Sequence, residues 1–340
     1  MPEPVLEIRD LTVEFDTDDG VVHAVTGVSW SLQPGEVLGL VGESGSGKTV
    51  SLLSVLRLIP MPPGRIVSGQ AIFRDQDLLT VPPRRLRQIR GGPVAIIFQD
   101  PTTALNPVLT IGDQIAEAIV VHDARTNARA ASERTVGLLE LVGIPDARRA
   151  VDRYPHELSG GMRQRAVIAM AVANRPSVLV ADEPTTALDV TVQAQIIEVL
   201  KAAQSETHAA IVLITHDLGL IAELADRVVV MYAGKVVEVA DVHSLFAAPR
   251  HPYTAGLLSS VARLEGVVEQ LEPIPGQPPS LITLPPGCAF HPRCTLSRGR
   301  ALCREAVPEL RAVGADAGRR SACHFAEELA APRSHAGAVS

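Results

Sequence analysis

The stretch GESGSGKT, residues 42 to 49, sets small residues, a lysine and a threonine in the order G-x-x-x-x-G-K-[ST]. In such a loop, backbone N–H groups close around a phosphate and a helix starting at once adds partial positive charge. Lys48 then suits the β- and γ-phosphates of a nucleotide and Thr49 a Mg²⁺ ion, with Gly42, Glu43, Ser44, Gly45, Ser46 and Gly47 forming the cradle. A glycine turn that merely contains a lysine is the alternative. The chain draws most of its basic residues from Arg, its lysines being Lys48, Lys201 and Lys235, which favours the cradle. SVLVADEP ends an apolar run on Asp182 and Glu183. Open parallel sheets gather ligands at such strand ends. Asp182 suits the Mg²⁺ shell and Glu183 a general base acting on water. LSGGM, 158 to 162, is a serine-capped helix start whose Gly160 and Gly161 admit an anion, although ordinary capping uses the same residues. Cys288, Cys294, Cys303 and Cys323 form a separate thiol group near the C-terminal end.

The elements that must position these groups read as an α/β protein. VLEIRDLTVEF, VHAVTGVSWSL and EVLGLVG predict strands between residues 5 and 40, and Thr49–Leu58 predicts a helix directly behind the phosphate loop. Continuous apolar runs at 94–99, 177–183, 209–216 and 227–234 predict parallel strands covered on both faces. A helical stretch over 111–170, broken at Gly143-Ile144-Pro145 and at Ser159-Gly160-Gly161, predicts an inserted subdomain. Composition changes near Ala247, and the proline-rich 272–293 predicts a linker into a C-terminal extension. The expected domains are 1–246, with the helical insertion over about 101–170, and 247–340.

With 340 residues and 46% hydrophobic content the chain can bury a sizeable core. A net charge of −7 gives no footprint for nucleic acid, which is therefore not expected as a partner. MPEPVLEIRD lacks a basic region followed by an apolar one, and no apolar run approaches the ~18 residues of a membrane span. The chain is accordingly expected on the cytosolic side. Cysteines gathered under reducing conditions point to metal or cluster ligation before disulfides.

The motif order resembles the ATP-binding-cassette ATPases. GESGSGKT, Gln99 in IIFQDP, LSGGM, VLVADEP, the ALD of Ala187 to Asp189, and His216 in ITHD follow one another as that family's phosphate loop, Gln loop, signature, Asp-Glu strand, D-loop and switch histidine. Met162 stands where Gln is commoner in the signature. The resemblance implies a RecA-like parallel core, an N-terminal antiparallel β subdomain and an inserted helical subdomain. It also implies head-to-tail pairing, with ATP between the Lys48 loop of one domain and Ser159, Gly160 and Gly161 of the other. Gln99 would join Thr49 and Asp182 at Mg²⁺, Glu183 would act as base, His216 would orient the γ-phosphate, and Phe15 would stack on adenine. Taken alone, Gln99 is equally a strand-end amide, His216 a histidine before a helix cap, and Phe15 a core side chain.

FQDPTTALNPVLTIGDQI, DEPTTALDVTVQAQI, HPYTAGLL and the cysteine-rich tail narrow the resemblance to ATP-binding subunits of dipeptide and oligopeptide importers, a family that includes nickel importers. Implied partners are a second, similar but distinct ATPase subunit, two permeases and an extracytoplasmic solute-binding protein, at the cytoplasmic face of the membrane. Nickel or haem cargo, and a soluble cassette ATPase or redox sensor, are the alternatives. The spacing C-x₅-C-x₈-C-x₁₉-C matches neither paired C-x₂-C zinc knuckles nor a bacterial ferredoxin run. By resemblance the four cysteines hold a [4Fe–4S] cluster. Zn²⁺ is the alternative, with His291 and His324 beside the ligand positions, and free thiols come third.

Overall fold

The structure, a computed structural model, describes residues 3–186, 188–260, 274–314 and 318–329. In chain order the strands are β1 (Leu6–Thr17), β2 (Gly20–Leu32), β3 (Val37–Val41), β4 (Gly64–Phe73), β5 (Gln76–Asp77) and β6 (Val94–Ile97). They continue with β7 (Val178–Asp182), β8 (Ala210–Ile214), β9 (Arg227–Tyr232), β10 (Lys235–Asp241), β11 (Arg311–Ala312) and β12 (Arg320–Ser321). The helices run α1 (Lys48–Val55), α2 (Pro83–Ile89), α3 (Pro101–Ala104), α4 (Ile111–His122), α5 (Ala128–Leu141) and α6 (Ala147–Ala150). After them come α7 (Gly160–Val172), α8 (Val190–Thr207), α9 (Leu218–Leu224), α10 (Val242–Ala247), α11 (Pro252–Ser259) and α12 (Ala301–Glu305).

The chain divides into two compact units. One comprises Met1–Leu6, Ser31–Val37 and Ile72–Ile214. Within it β6, β7 and β8 pair in parallel, Val94 opposite Val178 and Val178 opposite Ala210. Every residue of VLVAD and AIVLI is buried, as parallel strands covered on both faces require. The helices α4, α5, α6 and α7 also lie in this unit. The predicted breaks at Gly143 and Ser159 are present, and a further one falls after His122. There the Asn127 side chain accepts the Ala130 N–H at 2.9 Å and starts a new helix.

The other unit comprises Glu7–Trp30, Leu38–Ala71 and Thr215–Ser340. It holds an antiparallel-type sheet ordered β2-β1-β4 and a second sheet ordered β11-β12-β10-β9-β3. In the latter β3 and β9 are parallel, whereas β9, β10, β12 and β11 alternate in direction. The C-terminal segment therefore adds strands to this sheet edge. Sequence reasoning missed β4 and β10. The first is only partly buried along its length, and the second carries Glu238 in its middle, fully buried where the ladder bulges. Its carboxylate accepts the Arg250 and His251 N–H groups at 2.7 and 2.9 Å, which is what makes that burial tolerable. Helix α1 ends at Val55, short of the predicted Leu58.

Candidate functional site

The phosphate loop stands between β3 and α1. Gly42 and Gly47 have φ values of 153° and 98°, and a Cβ at either would overlap a carbonyl oxygen, that of Met231 or of Ala24. Only glycine fits these two positions. Ser46 and Lys48 are buried. The Lys48 ammonium donates to the Gly42 and Glu43 carbonyls at 2.7 and 3.0 Å and to Ser46 Oγ at 3.3 Å, so the lysine is folded onto its own loop. Ser44 and Gly45 are exposed, and Thr49 is half-buried in the first turn of α1. A tight glycine cradle with a lysine inside it fits a nucleotide phosphate. In the same unit Phe15 is half-buried, its ring against Gly64, and His216 is exposed just before Asp217, which caps α9 by accepting the Gly219 N–H at 2.8 Å.

The other unit carries the acidic strand end and the signature. Asp182 closes β7 and is buried. Glu183 follows in a left-handed conformation, φ 47°, with its N–H donating to the Ile214 carbonyl at 2.9 Å. Left-handed backbone is costly for a residue with a Cβ and marks positions where geometry is imposed. Glu183 Oε2 accepts from the Gln99 amide and from the Thr186 hydroxyl, both at 2.8 Å. Gln99 and Glu183 are thus brought together. Thr186 was not singled out by sequence reasoning, although it lies in the quoted DEPTTALD. Ser159 caps α7, its Oγ accepting the Met162 N–H at 3.3 Å. A Cβ on Gly161 would strike Val192, which gives that glycine a packing reason, whereas a Cβ on Gly160 would make only an ordinary contact with Leu188. Asp189 caps α8 by accepting the Val192 N–H at 3.0 Å. Ala187, the first D-loop position, lies outside the described residues.

Phe98, the residue before Gln99, lines a cavity of about 640 Å³ with Gln114, Glu117, Val121 and Met170, all within this unit. Phe98 and Val121 are 42% and 70% exposed, which leaves an apolar lip around it.

The four cysteines form no disulfide. Burial pushes the Cys288 thiol up to about 11, and the nearby Cys294 and Cys303 push it in the same direction. Cys323 is pushed up to about 12 by burial, with Cys294, Cys288 and Cys303 again adding to the shift. The Cys288 N–H donates to the Cys303 carbonyl at 2.9 Å. The thiols therefore share one neighbourhood, but among the described residues no group of three or more His, Cys, Asp or Glu is arranged to hold a metal ion. His291 and His324 use ring nitrogens on the Cys288 and Ala306 carbonyls, both at 2.9 Å. The four-thiol donor set suits a cluster or zinc; the arrangement of its sulfur atoms does not form the cage.

The phosphate loop, the Asp-Glu strand and the capped signature helix define the class as an ATP-binding-cassette ATPase. Residues 25–186 match the ABC transporter family, and residues 237–303 match the oligopeptide/dipeptide transporter C-terminal region. The chain is 49% identical to a putative peptide import ATP-binding protein of Brucella abortus, covering 94% of each. It is 50% identical to the dipeptide transport ATP-binding protein DppD of Bacillus subtilis, over 86% of this chain and 87% of that one. The oligopeptide transport ATP-binding protein OppD of Mycobacterium tuberculosis is 52% identical over 98% of this chain, which spans only 53% of that relative's length. Among solved structures, the dimeric post-hydrolysis form of the cassette MJ0796 aligns with a TM-score of 0.62 at 24% identity, over 70% of this chain and 98% of that one. A second, cbiO1 from Clostridium perfringens, gives 0.61 at 25% identity over 72% and 92%. The chain belongs to the ABC transporter ATP-binding protein family. Among the described residues no helix is long and apolar enough to cross a membrane.

Proposed function

We propose that this chain is the ATP-hydrolysing subunit of a di- or oligopeptide importer, working at the cytoplasmic face of the membrane. The observation that carries the proposal is the 2.8 Å hydrogen bond from Gln99 to Glu183. Through it the candidate base is tied to the segment whose preceding residue, Phe98, lines the 640 Å³ cavity. An apolar helix or loop of a permease seated there would move Gln99, and with it the carboxylate that acts on water. The names of the Brucella and Bacillus relatives support peptides as cargo.

Residue roles follow the motifs. Lys48 and the loop bind the ATP phosphates and Thr49 binds Mg²⁺. Asp182 and Gln99 serve the Mg²⁺ shell, Glu183 takes a proton from the attacking water, and His216 orients the γ-phosphate. Mg²⁺ neutralises phosphate charge when bound. Ser159, Gly160 and Gly161 face the ATP of a second, similar ATPase subunit, Asp189 lies at their junction, and Phe15 stacks on adenine. Residues 1–246 form the nucleotide-binding domain and 247–340 the extension specific to this importer branch. Two permeases and a solute-binding protein complete the assembly. The test is the ATPase rate of the purified chain before and after reconstitution with permeases and peptide-loaded binding protein. Low activity alone and strong stimulation in the assembly are expected; an unchanged rate would sink the importer role.

Cys288, Cys294, Cys303 and Cys323 are proposed to carry a [4Fe–4S] cluster, with Zn²⁺ as the alternative. Their being near one another, with the Cys288 N–H on the Cys303 carbonyl, supports this reading. Purified without oxygen, the chain is expected to contain about four irons and four sulfides. One zinc without sulfide would replace the cluster by a structural ion, and no metal would remove both.

A further inference from the structure

Position two of the phosphate loop is unrestricted by phosphate chemistry, yet Glu43 occupies it here and is held from several directions. Its carboxylate takes both terminal nitrogens of Arg293, Nη1 to Oε2 at 2.7 Å and Nη2 to Oε1 at 3.0 Å. Paired donors of this kind fix direction as well as distance. Arg293 itself is only 8% exposed. Its Nε donates to the Pro275 carbonyl at 3.0 Å, Nη1 also reaches the Tyr232 hydroxyl at 3.3 Å, and the guanidinium lies 5.8 and 5.9 Å from the Tyr232 and Phe290 rings. A side chain so enclosed has few other rotamers open to it.

The backbone of Glu43 is held as well. Its N–H donates to the Tyr253 hydroxyl at 2.7 Å, and its carbonyl accepts from Lys48 at 3.0 Å. Tyr253 is fully buried, packed on Tyr232 at 4.6 Å and Phe290 at 5.4 Å. Burial raises its hydroxyl well above the usual range, so the phenol stays neutral and accepts the bond. The turn that delivers it is anchored in turn. His251, held neutral by burial, accepts the Tyr253 N–H on Nδ1 at 3.1 Å, while its own N–H is bound by Glu238. The HPY of HPYTAGLL thus has a physical task, and it ends on the phosphate loop 210 positions away.

We propose that Tyr253 and Arg293, both from the C-terminal extension, are positioning residues for ATP binding that preorganise the phosphate loop through Glu43. An ion pair that only fastened the extension would need the Glu43 side chain alone. Here the peptide N–H beside it is bound too, and Lys48, the residue meant for the phosphates, uses the same residue's carbonyl. Loss of the clamp frees Glu43 and loosens the lysine's resting geometry, which weakens nucleotide binding and leaves the chemistry of bound ATP intact.

The inference rests on the loop's binding ATP, so the experiment begins with Mg-ATP titration of the wild-type full chain. No binding there would overturn the ATP assignment itself, and the clamp with it. Given wild-type binding, Arg293→Ala is expected to raise Kd and KM for Mg-ATP about tenfold while kcat stays within about twofold. Arg293→Lys keeps the charge but not the fork and should recover only part of the affinity. The exchange Glu43→Arg with Arg293→Glu should recover more than the sum of the single changes predicts. Tyr253→Phe removes one oxygen and keeps the ring packing, so it tests the clamp even where Arg293→Ala fails to fold; about a threefold rise in Kd at unchanged Tm is expected. Wild-type Kd in Tyr253→Phe, or wild-type Kd with lowered Tm in Arg293→Ala, would reduce these residues to a fastening for the extension.

Discussion

Glu183→Gln is expected to slow ATP turnover by orders of magnitude and to leave the nucleotide bound. The carboxylate is aimed by two donors, the Gln99 amide and the Thr186 hydroxyl, each at 2.8 Å on Oε2. Its backbone is fixed as well, at φ 47° with the N–H on the Ile214 carbonyl. A glutamine has the same size and can keep the Thr186 bond through its carbonyl, so the loop is expected to stay in place. What it cannot do is take a proton from water. Loss of a positioned general base slows turnover by about 10²- to 10⁴-fold, while every phosphate-binding group is untouched. Single-turnover assays with labelled ATP, together with the nucleotide content of the purified variant, check both halves. Normal turnover would remove Glu183 from the role of base. Fast turnover loss together with lost ATP binding would instead mean that the strand end is structural.

Lys48→Ala acts at binding. Its ammonium is buried and surrounded by three oxygens of its own loop, the Gly42 and Glu43 carbonyls and Ser46 Oγ. Removing it deletes the ties to the loop's own oxygens and, on the proposed role, the cation that meets the phosphates. Hydrogen bonds to a charged group contribute about 1.5–3 kcal/mol, so a 10- to 100-fold rise in Kd for Mg-ATP is expected, at about 1.4 kcal/mol per tenfold. Lys48→Arg should not restore binding, because a planar guanidinium cannot sit among three oxygens placed for a compact ammonium. Fluorescent-nucleotide titration of the two variants decides the matter, and wild-type affinity in Lys48→Ala would take the loop out of ATP binding.

The contrast between Glu43 and Lys48 shows where sequence reasoning stops. Lys48, Gly42 and Gly47 were identifiable because the phosphate loop demands them at one spacing, and the structure adds that a Cβ at either glycine would meet a carbonyl oxygen. Glu43 filled a position where the motif allows any residue, and its partner Arg293 lies 250 positions on. Arg293 closes the proline-rich stretch 272–293, and nothing beside it in the sequence marks it. Tyr253 was visible only as part of HPYTAGLL, a phrase with no local chemistry. The strand β10 escaped for a related reason: Glu238 interrupts its apolar run, and nothing nearby in sequence announces the two backbone N–H groups that donate to its carboxylate.

By itself the sequence determined the α/β class, the order of the parallel strands' apolar runs, the phosphate loop, the Asp182-Glu183 strand end and the capped signature at Ser159. Each of these is local, set by backbone conformation, side-chain period or a fixed spacing of a few residues. Only the tertiary structure decided that Gln99 hydrogen-bonds Glu183 across 84 positions, that Thr186 shares that carboxylate, and that the C-terminal extension grips the phosphate loop through Tyr253 and Arg293. The reason is physical. A buried donor or charge needs a partner in space, and the chain can bring that partner from any distance along its length once the core has folded.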